Sequence, residues 1–339
     1  MKAIIFEETG GPEVLRLTER PIPEPGSGEV RVRVHVSGVN PTDWKARTGA
    51  GFGAAPASAR VPNQDGAGVV DAVSPEVEDL AVGQRVWLWE SAWQRADGTA
   101  QEYVVLPVRN VVPLPERASF DLGASLGVPA ITAHRCLTVA EDGPEHLVPG
   151  ALHGRAVLVA GGAGAVGHAA IELARWAGAT VITTVSSDQK AELAAAAGAH
   201  HVVNYREEGA ADAIRAIAPN GVHVVVEVAP SINAALNEQV LANAGTVSVY
   251  ANNGGEQMTL PIRPFMFRNV RWQFILLYTV PEAAKRRAIV DVTAALAAGA
   301  LRVGAEAGLP LHRYPLERTA EAHAAVEGGA VGKVLIDVA

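Results

Sequence analysis

Val157-Leu158-Val159-Ala160-Gly161-Gly162-Ala163-Gly164-Ala165-Val166-Gly167 decides how the rest of this chain is read. Apolar residues run directly into a G-x-G-x-x-G pattern made by Gly162, Gly164 and Gly167, and a stretch with helical spacing follows. Alone the pattern is weak, because a chain with 34 glycines in 339 residues matches it by chance. Between a strand and a helix it has a mechanical meaning. The first glycine allows the tight turn, the second lets backbone approach a pyrophosphate, and the third lets helix and strand pack closely. The helix start, with Ala165 and Val166 in its first turn, offers unpaired N–H groups and the positive end of a dipole. The competing reading is an ordinary βα turn with glycine for packing.

Working outward, strand-like runs alternate with Ala-rich helical stretches from about Phe120 to Leu277. Strands are expected over 155–160, 180–185, 201–205, 222–228, 245–250 and 271–278, and helices over 166–177, 188–197, 210–217 and 232–243. Near-continuous apolar strands separated by helices imply βαβ units and a parallel sheet covered on both faces. Upstream, Val30-Arg31-Val32-Arg33-Val34-His35-Val36 alternates strictly, the period of a half-buried strand. Short runs at 2–6, 68–73, 85–89 and 102–106, broken by Pro and Gly, favour a barrel or sandwich there. Helices over 281–298 and 316–326 and a strand over 333–338 close the chain.

Composition removes several classes. The net charge of −8 and the lack of a basic run argue against nucleic-acid binding. A single cysteine, Cys136, permits neither an internal disulfide nor a Cys-rich zinc lobe. No apolar run approaches the ~18 residues of a membrane span, and the N-terminus lacks a secretory core. The expectation is a cytoplasmic protein.

The end of the second expected strand selects between nucleotides. An NAD site usually carries a carboxylate there for the ribose 2′-OH. Here the strand ends Thr183-Thr184-Val185-Ser186-Ser187, with Lys190 close behind. Hydroxyls and an ammonium suit a 2′-phosphate, so NADP(H) is expected. Asp188 reads as a helix-start residue favoured by the dipole, and Lys190 is otherwise a solvated helix residue.

The order of these parts resembles the medium-chain dehydrogenase/reductase superfamily, and within it the zinc-independent quinone oxidoreductase (zeta-crystallin-like) branch. The resemblance spans essentially the whole chain. It rests on Ser37-Gly38-Val39-Asn40-Pro41-Thr42-Asp43-Trp44-Lys45-Ala46-Arg47, Gly66 to Val70, Val128 to Ala133, Ala160 to Gly167 and Gly332-Lys333-Val334. It implies an α/β Rossmann domain with a six-stranded parallel sheet plus a β-rich GroES-like barrel domain. The implied boundaries are 1–128 for the first part of the catalytic domain, 129–275 for the nucleotide domain, and 276–339 for a return to the first. Zinc alcohol dehydrogenases place a cysteine ligand where Asn40 stands, and a Gly-His-Glu at Asn63-Gln64-Asp65, so the resemblance implies chemistry without a metal. Glu172 departs from it, since the branch often has glutamine there.

By the same resemblance, Asn40 and Thr132 line the nicotinamide end of the site. Ser187, Lys190 and Tyr205 surround the 2′-phosphate, and Leu276 to Tyr278 and Lys333 touch the cofactor. Tyr250 and Tyr278 read either as pocket walls or as packing. His134, on an apolar helix, reads as a hydrogen-bonded core histidine rather than a general acid. Residues 49–60 match nothing in the family and are read as a flap over the substrate.

Without a metal, hydride from NADPH suits acceptors already electron-poor, with the protein supplying orientation and donors for the developing oxyanion. Asn40 and Lys45 are the candidate donors, although Lys45, Asp43 and Arg47 also read as a surface charge cluster. The expected substrate is a small electrophile, a quinone first and an alkenal or enone second. The alternative of another class is a catalytically weak, crystallin-like NADPH-binding protein. The resemblance further implies a homodimer through the strand at 271–278.

Overall fold

The strictly alternating valines form the longest strand of the first of two units. In the computed structural model, which describes residues 1–51 and 58–339, the chain divides into Met1–Val128 with Pro310–Ala339, and Pro129–Leu309. The first unit opens with β1 (Lys2–Ile5) and β2 (Arg16–Glu19), a separate antiparallel pair. Next come β3 (Glu29–Val39), α1 (Pro41–Thr48), β4 (Asp65–Val73), β5 (Arg85–Leu88), β6 (Tyr103–Pro107), β7 (Val111–Pro113) and α2 (Phe120–Gly123). Val30, Val32, Val34 and Val36 of β3 all face the core, as period 2 demands.

Helix α3 (Gly127–Thr138) leads into the second unit, where six strands alternate with helices. These are β8 (Ala156–Ala160), α4 (Ala165–Trp176), β9 (Thr180–Val185), α5 (Asp188–Ala196), β10 (His201–Asn204), α6 (Ala210–Ile217), β11 (Val222–Glu227), α7 (Pro230–Val240), β12 (Leu241–Val249), α8 (Ile262–Phe267) and β13 (Arg271–Phe274). All neighbours are parallel, in the order β10-β9-β8-β11-β12-β13. Every residue of β8 is buried, as expected of a strand covered on both faces. The order reverses between β8 and β11, so the turns beyond their carboxyl ends open where a nucleotide binds in such sheets.

Helix α9 (Glu282–Ala297) corrects the expected return at residue 276. It belongs to the second unit because it buries Ala284, Ala288, Val292, Ala295 and Leu296. Its Asp291 also accepts from His134 Nε2 (2.7 Å) and the Leu147 amide (2.7 Å), which makes His134 the core histidine expected. The return begins at Pro310 with β14 (Leu311–Pro315), α10 (Thr319–Glu327) and β15 (Lys333–Asp337). These complete a seven-stranded, mostly antiparallel sheet built on β3. One edge of β3 pairs with β4; the other is shared end to end by β6 (Glu29 to Arg33) and β15 (Val36 to Val39).

Other differences are local. The strand expected to reach Tyr278 stops at Phe274 because its partner β12 ends at Val249, and a 3-10 turn holds Leu277–Thr279. The helix expected over 232–243 starts at Pro230 and yields at Leu241 to β12. In a first third read as short strands broken by Pro and Gly, α1 forms because Asp43 Oδ2 accepts from the Asn40 amide (2.7 Å) at its start and Pro41 presets its first turn. Of the expected flap over 49–60, residues 52–57 lie outside the described residues. No helix among the described residues is long and apolar enough to cross a membrane.

A one-way hydrogen-bond chain crosses the core of the first unit. The Thr99 hydroxyl donates to the Asp65 carbonyl (2.6 Å), so Ser37 Oγ donates to Thr99 Oγ1 (2.7 Å), and Asn63 Nδ2 donates to Ser37 (2.9 Å). The Asn63 oxygen must then accept from His323 Nε2 (2.9 Å), which fixes the neutral tautomer. Burial, helped by the Arg47 charge, pushes the His323 imidazole down from 6.5 to about 3. Between those values only the unfolded chain takes up this proton. His323's contribution is therefore complete above pH 6.5 and is lost as pH falls, by up to ~1.4 kcal/mol per unit. Urea unfolding followed from pH 7 to pH 4 is expected to show this loss, with a shallower slope in His323→Gln. An unchanged slope contradicts the assignment.

Candidate nucleotide and acceptor sites

In the second unit, the glycines of the turn meet distinct physical demands. Gly161 has φ +71°, a left-handed conformation. A Cβ on Gly162 would stand 2.2 Å from Thr183 Oγ1, and one on Gly167 2.4 Å from the Gly161 carbonyl. Packing alone accounts for both. Gly164 differs: nothing lies closer than 3.5 Å to its would-be Cβ, and it caps α4 with no side chain serving the first-turn amides. Ala165 and Val166 follow it at the head of α4, beside the point where strand order reverses. First-turn amides without a side-chain cap, behind a glycine with room beside it, fit a diphosphate.

Ser187 and Lys190 follow β9, and Tyr205 follows β10, at the carboxyl ends of these two paired strands. Ser187 caps α5 by accepting from the Lys190 amide (3.4 Å), and Lys190 Nζ donates to Ser186 Oγ (3.1 Å). The Tyr205 amide donates to the Val185 carbonyl (3.1 Å), which brings this half-exposed tyrosine beside them. Asp188 lies exposed in the first turn of α5, where the dipole favours it. Hydroxyls and an ammonium therefore gather where a carboxylate would serve a ribose 2′-OH, and the group fits a 2′-phosphate.

Tyr250, half-buried, follows β12, and its amide donates to the Glu227 carbonyl (3.0 Å). Burial pushes its phenol upward. Leu276 is half-buried and Tyr278 buried, both just beyond β13, while Thr132 is buried on α3. Sequence reasoning missed Glu227. Its carboxylate closes β11 fully buried, accepting from the Ala229 amide (2.7 Å), Asn233 Nδ2 (2.8 Å) and Asn237 Nδ2 (2.6 Å). The available signal was Asn233 and Asn237, one turn apart on the helix that follows.

The first unit brings Asn40 and Lys333 into direct contact, beside two carboxyl groups, Asp43 and Asp65, that the sequence did not mark as buried. Lys333 Nζ donates to Asn40 Oδ1 (2.7 Å), Asn40 Nδ2 donates to Asp65 Oδ2 (2.7 Å), and Nζ lies 3.6 Å from that same carboxylate oxygen. Asp65 Oδ1 accepts from the Val128 amide (2.9 Å). All four side chains, Asn40, Asp43, Asp65 and Lys333, are buried. Burial, and then the Asp65 charge, pushes the Asp43 carboxyl up to about 8. Burial likewise pushes Asp65 up and Lys333 down, against the attraction between them. Asp43, the only one of the three without an opposing charge in direct contact, thus keeps its proton through neutral pH.

Asp43 and Arg47 do not belong to a surface cluster, because both are buried; Arg47 pairs with Glu327 at 2.5 Å. Lys45 is half-buried, its ammonium 5.8 Å from the centre of the Trp44 ring. Glu172 is buried in a pair with Arg302 (2.9 Å) in the second unit.

Comparison with known proteins agrees with this architecture. Residues 26–116 match the family described as alcohol dehydrogenase GroES-like domain, and residues 165–300 that described as zinc-binding dehydrogenase. The quinone oxidoreductase of Homo sapiens is 30% identical over 99% of this chain and 97% of its own. A solved NAD-dependent alcohol dehydrogenase superposes with a TM-score of 0.87 at 30% identity, covering both chains entirely. The mycobacterial protein Rv1454c, complexed with NADPH, gives 0.81 at 28% identity over 99% of each chain. The chain thus belongs to the medium-chain dehydrogenase/reductase superfamily, in its quinone oxidoreductase branch.

Proposed function

We propose that this protein is an NADPH-dependent reductase that delivers hydride to a quinone without a metal. The observation that carries the reading is the Asn40 carboxamide bonded to both Lys333 and Asp65. Asn40 Oδ1 and Asp65 Oδ2, the oxygens a cation would use, already face an ammonium. Gln64 Oε1 accepts from the Ala92 amide (3.1 Å), and no three His, Cys, Asp or Glu side chains gather among the described residues. A catalytic zinc needs about three such ligands and an open position, and this donor set does not fit it.

Bound NADPH supplies hydride, and quinone, NADPH and one proton become hydroquinone and NADP⁺. The uncapped amides of α4 hold the diphosphate, and Ser187, Lys190 and Tyr205 hold the 2′-phosphate. Thr132, Tyr250, Leu276 and Tyr278 wall the nicotinamide. Asn40, with Lys45, donates to the oxygen on which charge develops as hydride arrives, and solvent supplies the proton. A buried donor aimed at that oxygen strengthens as charge grows there, which is what lowers the barrier. Enones develop charge on the same kind of oxygen, so quinone and alkenal are to be compared side by side.

The proposed assembly is a homodimer. β13 is the outer strand of its sheet, and Phe274 on it is exposed, as are Ile262, Met266 and Phe267 on α8. An apolar edge of this kind is a pairing surface.

Three outcomes are expected. NADPH is oxidised with a small quinone faster than with an alkenal, and dialysis against a chelator leaves the rate unchanged; a rate restored only by zinc contradicts the metal-free reading. Lys190→Ala raises the KM for NADPH ~10- to 100-fold, the loss of a charge-assisted bond, and leaves the KM for NADH unchanged; equal use of both nucleotides by the unmodified protein refutes the cofactor assignment. Light scattering gives twice the chain mass, and Phe274→Lys halves it; a monomer at micromolar concentration removes the dimer.

A further inference from the structure

Asn40, read above as a donor, is held by groups that can each engage only one end of its amide. An ammonium donates only, and a carboxylate accepts only. Lys333 Nζ at 2.7 Å therefore selects Oδ1, and Asp65 Oδ2 at 2.7 Å selects Nδ2. Flipping the amide would set N–H against ammonium and carbonyl against carboxylate, two repulsions in a buried setting. One Nδ2 hydrogen is spent on Asp65, which leaves the other as the only side-chain donor that Asn40 can offer an acceptor. The backbone is fixed as well, since the Asn40 amide donates to Asp43 Oδ2 (2.7 Å).

The surroundings are shaped for this clamp. A Cβ on Gly127 would stand 2.1 Å from Asp65 Oδ1, so only glycine leaves room for that carboxylate beneath the Val128 amide. A Cβ on Gly38 would stand 2.1 Å from the Ala124 carbonyl and 3.1 Å from Lys333 Cε. Glycines on two separate elements thus accommodate the two charged groups. The Lys333 side chain is buried inside the first unit, where its ammonium faces Asn40 and Asp65.

We propose that Lys333 and Asp65 are positioning residues for hydride transfer, which act by locking the Asn40 carboxamide with its nitrogen toward the acceptor. The proposal rests on the reductase reading and replaces the cofactor contact expected of Lys333.

The test is a double-mutant cycle of Asn40→Ala and Lys333→Met in the full-length protein, with quinone-dependent kcat and the Kd for NADPH both measured. Lys333→Met is expected to lower kcat ~10- to 100-fold, as loss of an oriented donor does, with the NADPH Kd changed less than about twofold. In the Asn40→Ala background it is expected to cost less than about threefold, because its effect runs through Asn40. Equal losses in both backgrounds, or a weakened NADPH Kd, overturn the proposal.

Lys333→Met leaves Asp65 as an unpaired buried charge. The pair Lys333→Met with Asp65→Asn removes both charges and preserves the fold; normal kcat in that variant also overturns the proposal. A separate readout does not need turnover. In the unmodified protein the Asn40 side-chain amide is expected to give a downfield, exchange-protected proton by NMR that disappears in Asp65→Asn. Its absence from the unmodified protein overturns the clamp. A protected proton together with no reduction of any acceptor overturns the reductase reading and the role in hydride transfer, while the clamp itself stands.

Discussion

One ammonium and two carboxyl groups share the interior of the first unit, and the surrounding structure is arranged around making that tolerable. Removing an ion from water costs several kcal/mol even after relaxation. Lys333 and Asp65 offset part of this through mutual attraction at 3.6 Å and through the amide they share. Asp43 solves the same problem differently, by keeping its proton up to about pH 8. Within the cluster the Lys333 and Asp65 side chains thus stand opposite one another. The elements that supply it are far apart in sequence: β15 gives Lys333, the β3–α1 junction Asn40, β4 Asp65, and α1 Asp43. Pairing of β15 and β4 to opposite edges of β3 is what gathers them.

The second unit handles charge by the opposite means. It leaves the α4 amides without a side-chain cap and places hydroxyls and Lys190 at strand ends, an arrangement that suits an anion. Glu227, the buried carboxylate nearby, is satisfied by protein donors alone. Its role is to join the β11–α7 turn and hold α7 against the sheet.

Much of this was legible in the sequence, for identifiable reasons. Parallel strands covered on both faces are written as continuous valine runs, so 156–160, 180–185 and 222–227 could be placed closely. The glycine turn and Ser187–Lys190 are local patterns, read within a few residues. Asp43 and Asp65 were not legible as buried groups, because a lone Asp reads as surface until a partner is known. Here the partner is Lys333, 268 positions beyond Asp65. Asn63-Gln64-Asp65 stood out only by what it lacks as a zinc motif; that its aspartate clamps an amide emerges only from strand pairing. The helix α1 escaped because its stability comes from Asn40 and Asp43 at its start rather than from an apolar stripe. The return at Pro310 was misplaced because the helical pattern over 281–298 does not say which unit its buried face meets.

The second unit is an insertion within the first, lying between Val128 and Pro310. A ribosome therefore releases β3, α1 and β4 long before β15. Until β15 emerges, Asp65 has no ammonium to face and half of one β3 edge has no partner. The second unit, complete by Leu309, is free to fold as a body while the first waits. The buried Asn40–Asp65–Lys333 cluster is thus assembled late, after the second unit's chain is complete.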